Sequence, residues 1–133
     1  MMHAFFPYAE TTHDVTVRVS VSFLAEQSEP DMGKWFWAYH IRIENGRDRP
    51  VQLLTRKWTI SDGRGALFQR EGQGVVGEQP VIQPGEAYDY VSGCPLSTPT
   101  GAMEGSYMML EGSGGMIEVR IPRFALLAPA VSG

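Results

Sequence analysis

The sequence predicts a single all-β domain, a sandwich or barrel of short antiparallel strands. Several stretches alternate apolar and polar residues with a period of two, which is typical of half-buried strands. These stretches recur roughly every ten residues and are separated by turn-forming residues, a spacing typical of sandwiches and barrels. The chain has 133 residues, 15 of them glycine and 9 proline, and no stretch has the pattern of an amphipathic helix. Its length is that of one ordinary domain.

The first two predicted strands show the clearest alternation. Residues 15–23 carry valine or phenylalanine at every odd position, and residues 35–45 carry Trp, Tyr or Ile at most odd positions. The second strand ends at Asn45-Gly46, a strong turn signal. Phe36 falls on the opposite face from Trp37, so we expect an aromatic ring on the outer face.

The third predicted strand, residues 51–62, contains an arginine on an apolar face. Arg56 shares a face with Leu54, Trp58 and Ile60, while the adjacent pair Leu53-Leu54 breaks the alternation and predicts a bulge. An inward guanidinium needs a carboxylate, carbonyl groups or an aromatic face. Arg56 is therefore either a structural residue beside Trp58 or a ligand-facing residue at the mouth of a pocket. The structural interpretation is favoured, since buried arginines are usually paired.

The later strands are shorter, and together they bring the expected count to seven or eight. They are predicted at residues 66–71, 86–92, 103–111 and 117–121, with an irregular segment at 72–85, a loop at 93–101 and a hairpin turn at 112–115. Pro122 either ends the last strand or lies at a sheet edge. We expect residues 1–12 to form a lead-in, residues 13–126 the domain and residues 127–133 a tail.

Residues 72–77, Gly-Gln-Gly-Val-Val-Gly, match the glycine pattern of dinucleotide-binding folds. That pattern works where a strand turns into a helix that holds a pyrophosphate. Pro80 and Pro84 exclude the helix here. Two interpretations remain for Gly72, Gly74 and Gly77. The favoured one is that they permit positive φ and close backbone approach; the other is an anion-binding nest of amides, assisted by Arg70 or Arg64.

No catalytic or metal-binding constellation is recognisable. The three histidines are scattered, although His13 and His40 could meet across neighbouring strands, and we expect no metal site and no cofactor. Cys94 is the single cysteine and lacks a histidine pattern, which predicts a buried, inert thiol. No internal disulfide is possible, so the fold does not need an oxidising compartment. These observations predict a protein that is not an enzyme.

Charge and hydropathy restrict the classes of partner that we expect. The net charge is −4 and the pI about 5.3, which is the wrong sign for a general nucleic-acid binder. The first residues lack the pattern of a signal peptide, and no apolar stretch has membrane-spanning length. The expectation is a cytoplasmic protein that binds neither nucleic acid nor membrane.

The chain resembles the ApaG family, also called CorD in bacteria, over about residues 13 to 124. The resemblance is carried by five groups of residues, with further matches at Tyr90, Ser92-Gly93, Leu96, Thr98 and Gly101. The groups are Phe23–Ser28 with Pro30, Tyr39–Asn45, Val51–Asp62, Gly72–Pro80 with Pro84-Gly85, and Met103–Met109. One departure is the glycine-rich turn at residues 112–115, where relatives are usually more acidic.

The resemblance implies a fibronectin type III/immunoglobulin-like β-sandwich of two antiparallel sheets. It also implies an association with cobalt resistance and magnesium efflux. Related domains of F-box proteins and polymerase-delta-interacting proteins suggest protein binding, and the glycine motif has been read as a pyrophosphate site. The sequence therefore predicts a non-enzymatic binding module, monomer or homodimer, for an unknown protein partner. The alternative is a binder of a phosphorylated small molecule that uses residues 72–77.

Overall fold

The computed structural model describes residues 5–129 and confirms an all-β sandwich of two antiparallel sheets. The described strands are β1 (Tyr8–Thr12), β2 (Val15–Phe23), β3 (Trp35–Asn45), β4 (Val51–Asp62), β5 (Leu67–Gln73), β6 (Val81–Ile82), β7 (Ala87–Leu96), β8 (Thr100–Glu111) and β9 (Met116–Leu127). One sheet has the order β1-β2-β3-β7; the other has the order β5-β4-β8-β9, with β6 also paired to β4. Two single 3-10 turns, Ala25–Gln27 and Pro30–Met32, connect β2 to β3.

The core lies between the two sheets, where the predicted alternation places the apolar residues. Most odd-numbered positions of β2 and β3 are buried, among them Val17, Trp37 and Ile41. Phe124 of β9 packs between Tyr39 and Trp58, with ring centroids 5.7 and 5.9 Å away. Burying a large apolar side chain contributes about 1.5–3 kcal/mol, so this face holds the sheets together.

The structure has nine strands in its described part, where the sequence predicted seven or eight. The two additional strands are short: β1 lies inside the expected lead-in, and β6 has two residues inside the expected irregular segment. Strands of five and two residues are too short for an alternation of apolar and polar residues to be recognised. β1 is nevertheless part of the sheet, because Tyr8–Thr12 pairs with residues 15–19 of β2.

Prolines interrupt neither β7 nor β9. β7 continues to Leu96 through the predicted loop, with Pro95 opposite Phe36, and β9 continues past Pro122 to Leu127. Each of these strands pairs with one neighbour only, so a proline nitrogen can face away from the ladder. The predicted loop at 93–101 is therefore wrong for its first four and last two residues, and Cys94 lies in a strand.

The expected bulge in β4 is present and changes which leucine is buried. The pairing of β4 with β8 shifts register between Leu53 and Thr55. As a result Leu53 is fully buried, whereas Leu54 is only half-buried and does not share the face of Trp58. The carbonyl oxygen of Leu54 accepts hydrogen bonds from the amide of Gly74 at 2.8 Å and from Gln79 Nε2 at 2.9 Å.

The hairpin between β1 and β2 turns through two residues that are not glycine. His13 and Asp14 have φ of 52° and 64°, as in the type I′ turn that favours Asn-Gly. We expect the double substitution His13→Asn and Asp14→Gly to raise the free energy of unfolding by about 1 kcal/mol, because left-handed backbone is costly for other residues. Urea denaturation measures the change.

Asp14→Ala is the matched control and should lower the same free energy, since alanine tolerates positive φ less well than aspartate. Equal stability of all three proteins would contradict the strain at this turn. The turn's two carbonyl contacts, from Arg47 Nη1 to His13 and from the Gly46 amide to Asp14, involve backbone oxygens and remain in every variant.

No helix in the part of the chain between residues 5 and 129 is long and apolar enough to cross a membrane.

Candidate binding site between the two sheets

A pocket of about 680 Å³ opens between the sheets on the side where β5 and β7 are the edge strands. On the other side β1 and β2 pack on β9 and close the sandwich. We call the open pocket the trough. Its lining comes from β3, β4, β5, β7, β8 and two connections, one after β5 and one after β7; the residues used below are Tyr39, Arg56, Trp58, Phe68, Arg70 and Tyr90.

Tyrosines and a tryptophan form the floor of the trough. Tyr39 packs edge-on against Trp58, with centroids 5.4 Å apart. Tyr90 Oη lies 2.5 Å from Tyr107 Oη, which is fully buried beneath the trough. Burial raises the pKa of all three phenols, and the positive charge of Arg56 opposes the rise without reversing it. The floor is therefore neutral at physiological pH, and its hydroxyls can donate hydrogen bonds.

Arg56 reaches the trough from the inner face of β4, as its register predicted. Its Nη1 donates to the carbonyl oxygens of Gln73 and Gly74 at 2.9 and 2.8 Å. Arg56 has no carboxylate within ion-pair distance among residues 5–129. It is thus held by carbonyl groups while lining the pocket, so both interpretations from the sequence describe part of its position.

Arg70 is the second cation of the trough and lies on β5 opposite Trp58. Its guanidinium carbon stands 5.9 Å from the ring centroid of Phe68, and its Nη1 donates to the neighbouring carbonyl of Gln69. Within the described chain no carboxylate pairs with it. Asp62 also lines the trough, but its Oδ1 accepts the amides of Arg64 and Ala66.

The glycine motif is a tight turn that projects between β5 and β6. Val75 and Glu78 exchange two backbone hydrogen bonds of 2.8 and 2.9 Å, and Val76 and Gly77 between them have φ of 44° and 83°. This is the geometry of a type I′ turn. Tyr88 Oη donates to Glu78 Oε1 at 2.7 Å and ties the turn to β7. The turn therefore closes one end of the trough.

Each glycine of the motif has its own geometric reason. A Cβ on Gly72 would lie 2.7 Å from Arg56 Nη2, so Gly72 leaves room for the guanidinium. Gly74 has φ of 64°, and a Cβ there would collide with the carbonyl of Glu78. Gly77 supplies the second positive φ of the turn. The favoured interpretation, positive φ and close approach, describes this geometry.

Fewer backbone amides of the motif are available for an anion-binding nest, because two of them already donate within the fold. The amide of Gly74 donates to Leu54 and that of Val75 to Glu78. Among residues 5–129 no acceptor is paired with the amides of Val76 and Gly77, which lie on the rim of the trough. An anion at the turn would therefore meet these two amides together with Arg56 or Arg70.

Cys94 is buried in β7 at the wall of the trough and is a poor nucleophile. Burial raises the pKa of its thiol to about 11, against a smaller opposing effect of Arg70. At pH 8 only about one thiol in a thousand is then ionised. We expect Ellman's reagent to react slowly with the native protein and rapidly in urea. Fast reaction of the native protein would show that the trough opens as far as Cys94.

His13 and His40 lie outside the trough, and His3 is outside the described residues. His40 is on the outer face of β3, with Nε2 2.7 Å from Asp89 Oδ1, whereas His13 lies in the β1–β2 turn. In the register of β2 and β3, His40 pairs with Ser20 while the turn meets the far end at Asn45, so the two histidines do not meet. Between residues 5 and 129 no group of three or more His, Cys, Asp or Glu could hold a metal ion.

A second pocket of about 570 Å³ shares one wall with the trough. Pro95, Leu96 and Ser97 line both, and the far side of the second pocket includes Met32 and Phe36. The sequence did not indicate this neighbourhood, because it placed residues 93–101 in a loop. Nor did it single out Phe68. The available signal was that Phe68 and Arg70 are two residues apart in a short strand and therefore share a face.

Comparisons with known proteins can be set beside this geometry. The model of the ApaG domain family matches residues 25–111. The chain belongs to the ApaG family. Protein ApaG of Rhodospirillum centenum is 51% identical over 92% of this chain and 94% of its own. Protein ApaG of Caulobacter vibrioides is 46% identical over 94% and 89%. The residues of the trough named here lie inside the matched range.

Solved structures agree with the fold of this ApaG-family protein. A crystal structure described as an ApaA protein of Bordetella pertussis has a TM-score of 0.85 at 42% identity and covers 89% of this chain and 96% of its own. An X-ray structure of a structural-genomics target has a TM-score of 0.83 at 36% identity, with 88% of each chain covered. The C-terminal domain of Wzt shares the fold alone, with a TM-score of 0.54 at 9% identity.

Proposed function

We propose that this ApaG-family protein is a non-enzymatic binding module that holds a partner protein in the trough. The observation that carries the proposal is the uncovered inner face of β5. Phe68 is 40% exposed there, beside the guanidinium group of Arg70, and Arg56 lines the same trough. Aromatic and arginine side chains are the residues most enriched at the centres of protein interfaces. An aromatic ring in a trough with two arginines that have no carboxylate partner among residues 5–129 is a suitable anchor for a partner.

The association with cobalt resistance and magnesium efflux enters the proposal through the partner. The family resemblance supplies the association, and the trough supplies the contact surface. In this proposal the protein acts on divalent-cation homeostasis by binding another protein, and its own residues bind no metal in doing so.

Affinity capture with matched variants tests the proposal. Tagged wild-type protein, Phe68→Ser and Met116→Ser are compared on the same native lysate, with and without Mg²⁺. Met116 is 48% exposed on β9, away from the trough, and controls for loss of an exposed apolar side chain. We expect a partner that Phe68→Ser loses and Met116→Ser retains. Equal recovery by all three proteins would place binding elsewhere on the surface.

Binding of a phosphate or pyrophosphate group at residues 72–77 is the second candidate function. The amides of Val76 and Gly77, which have no acceptor among residues 5–129, lie on the same pocket as Arg56 and Arg70, and this juxtaposition favours it. Calorimetry with pyrophosphate and ATP tests the candidate on wild type, Arg70→Gln and the control Arg123→Gln, whose residue lies on β9. Heat that only Arg70→Gln abolishes would support it, and no heat from either ligand would end it.

A further inference from the structure

The two sheets are offset, so that among residues 5–129 no strand packs closely on the inner face of β5. β1 and β2 pack on β9, Tyr39 of β3 packs on Trp58 of β4, and Tyr90 of β7 meets Tyr107 of β8. β5 extends its sheet beyond β4 and pairs with that strand alone. The sheet that ends at β7 is one strand short of covering it. The trough is the space that such a strand would occupy.

The edge of β7 beside this space has free backbone groups. β7 pairs with β3, and in the described chain no strand lies on its other side. Pro95 keeps its place in the ladder, so its nitrogen faces the open edge. In an antiparallel pair the backbone groups of alternate residues point the same way. Val91 and Gly93 therefore direct their amides and carbonyls toward the open edge as well.

Only part of this edge is accessible. The turn at residues 75–78 reaches over the beginning of β7, where Tyr88 bonds to Glu78. The residues of β7 that line the trough are Tyr90 and those from Ser92 to Leu96. A segment of about six residues spans this stretch at about 3.3 Å per residue, which is the length of an ordinary strand.

The charge of the trough indicates what such a segment carries. Arg56 has five N–H donors, and within the described chain its side chain donates only from Nη1, to two carbonyl oxygens. Arg70 contributes a second guanidinium with no carboxylate partner there. The lining holds these two arginines against one carboxylate, Asp62, whereas the whole protein has a net charge of −4. Guanidinium groups bind carboxylates through paired, charge-assisted hydrogen bonds.

We propose that an acidic, extended segment of a partner protein adds as a strand to the free edge of β7 and turns its carboxylates toward Arg56 and Arg70. The segment pairs with the backbone of Val91 and Gly93, and its inward side chains cover Phe68. Strand addition supplies backbone hydrogen bonds for affinity and side-chain pockets for specificity. This proposal rests on the proposed function and adds the chemistry and the binding mode of the partner.

Selection from a phage library of random heptapeptides against the full chain provides the first test. We expect enriched peptides with Asp or Glu at alternating positions. A synthetic peptide from that set should bind Arg70→Gln about tenfold more weakly than wild type, and should bind Arg123→Gln, the control, unchanged. Thermal unfolding of each variant shows whether the fold is retained.

Amide hydrogen exchange with the same peptide is the second test. Strand addition protects the amides of Val91 and Gly93, which face the edge, and leaves the already paired Ser92 and Cys94 little changed. Binding of the peptide in the trough without slower amide exchange at Val91 and Gly93 would overturn strand addition.

The remaining outcomes separate this proposal from the proposed function. Peptides without acidic residues that bind the trough would overturn this proposal and leave the proposed function standing. Peptides that bind another face, or no enrichment at all, would overturn both. Displacement of the acidic peptide by inorganic phosphate or pyrophosphate at micromolar concentration would show a small-anion site and count against a peptide strand.

Discussion

Substitution of Gly74 by alanine is expected to lower the free energy of unfolding by about 2–5 kcal/mol, from left-handed strain and overpacking together. Gly74 has φ of 64°, and its Cβ would collide with the carbonyl group of Glu78. That carbonyl is backbone and belongs to the reciprocal pair of hydrogen bonds that forms the turn, so it cannot move aside without breaking the turn. Urea denaturation measures the loss.

Gly77→Ala is the matched control for that prediction. Gly77 also has a positive φ, of 83°, but a Cβ there meets nothing within 4 Å. Its substitution should therefore cost about 1–2 kcal/mol, the backbone strain alone. Equal losses for the two substitutions would show that the close approach of residue 74 to residue 78 does not contribute.

Substitution of Arg56 by glutamine is expected to remove partner binding and to loosen the turn as well. The side chain joins β4 to the carbonyls of Gln73 and Gly74, and a hydrogen bond from a charged group contributes about 1.5–3 kcal/mol when it is buried. Arg56 is only half-buried, so we expect the loss to fall at or below the lower end of that range. Peptide affinity and urea denaturation should both change.

Arg70→Gln separates the two effects of Arg56. The hydrogen bond of Arg70 within the described chain goes to the adjacent residue, Gln69, so its loss should weaken binding without lowering stability. If Arg56→Gln lowers stability but binds the peptide like wild type, Arg56 is a structural residue only. If Arg56→Gln leaves both the stability and the peptide affinity unchanged, the contacts with Gln73 and Gly74 are without energetic consequence.

The alternation of single strands carried most of the fold prediction. Residues 15–23 and 35–45 form β2 and β3 within the predicted bounds. Their period of two is compatible with only one choice of buried face. The break at Leu53-Leu54 was correctly read as a bulge. Which leucine is buried was not, because a bulge reverses the faces on one of its sides and the neighbouring strand decides which.

Edge positions were the part of the fold that local patterns misplaced. Proline and glycine predict a break where a strand has two neighbours, yet Gly93 and Pro95 are compatible with a strand that has only one. Since the sequence of β7 does not state how many neighbours it has, the loop at 93–101 was predicted over residues that pair with β3. For the same reason the sequence did not predict that residues 94–97 form a wall of the trough.

For the glycine motif, the sequence by itself determined that no helix follows residue 77, and it favoured backbone geometry over an anion nest as the reason for the glycines. It also determined that Arg56 faces inward. Only the tertiary structure decided what those residues meet: the Arg56 guanidinium beside Gly72, the Glu78 carbonyl against Gly74, and the trough left where β5 has no strand opposite. Local periodicity fixes the direction of a side chain, whereas its contacts depend on segments far away in the chain, and the offset of two sheets is a property of no single segment.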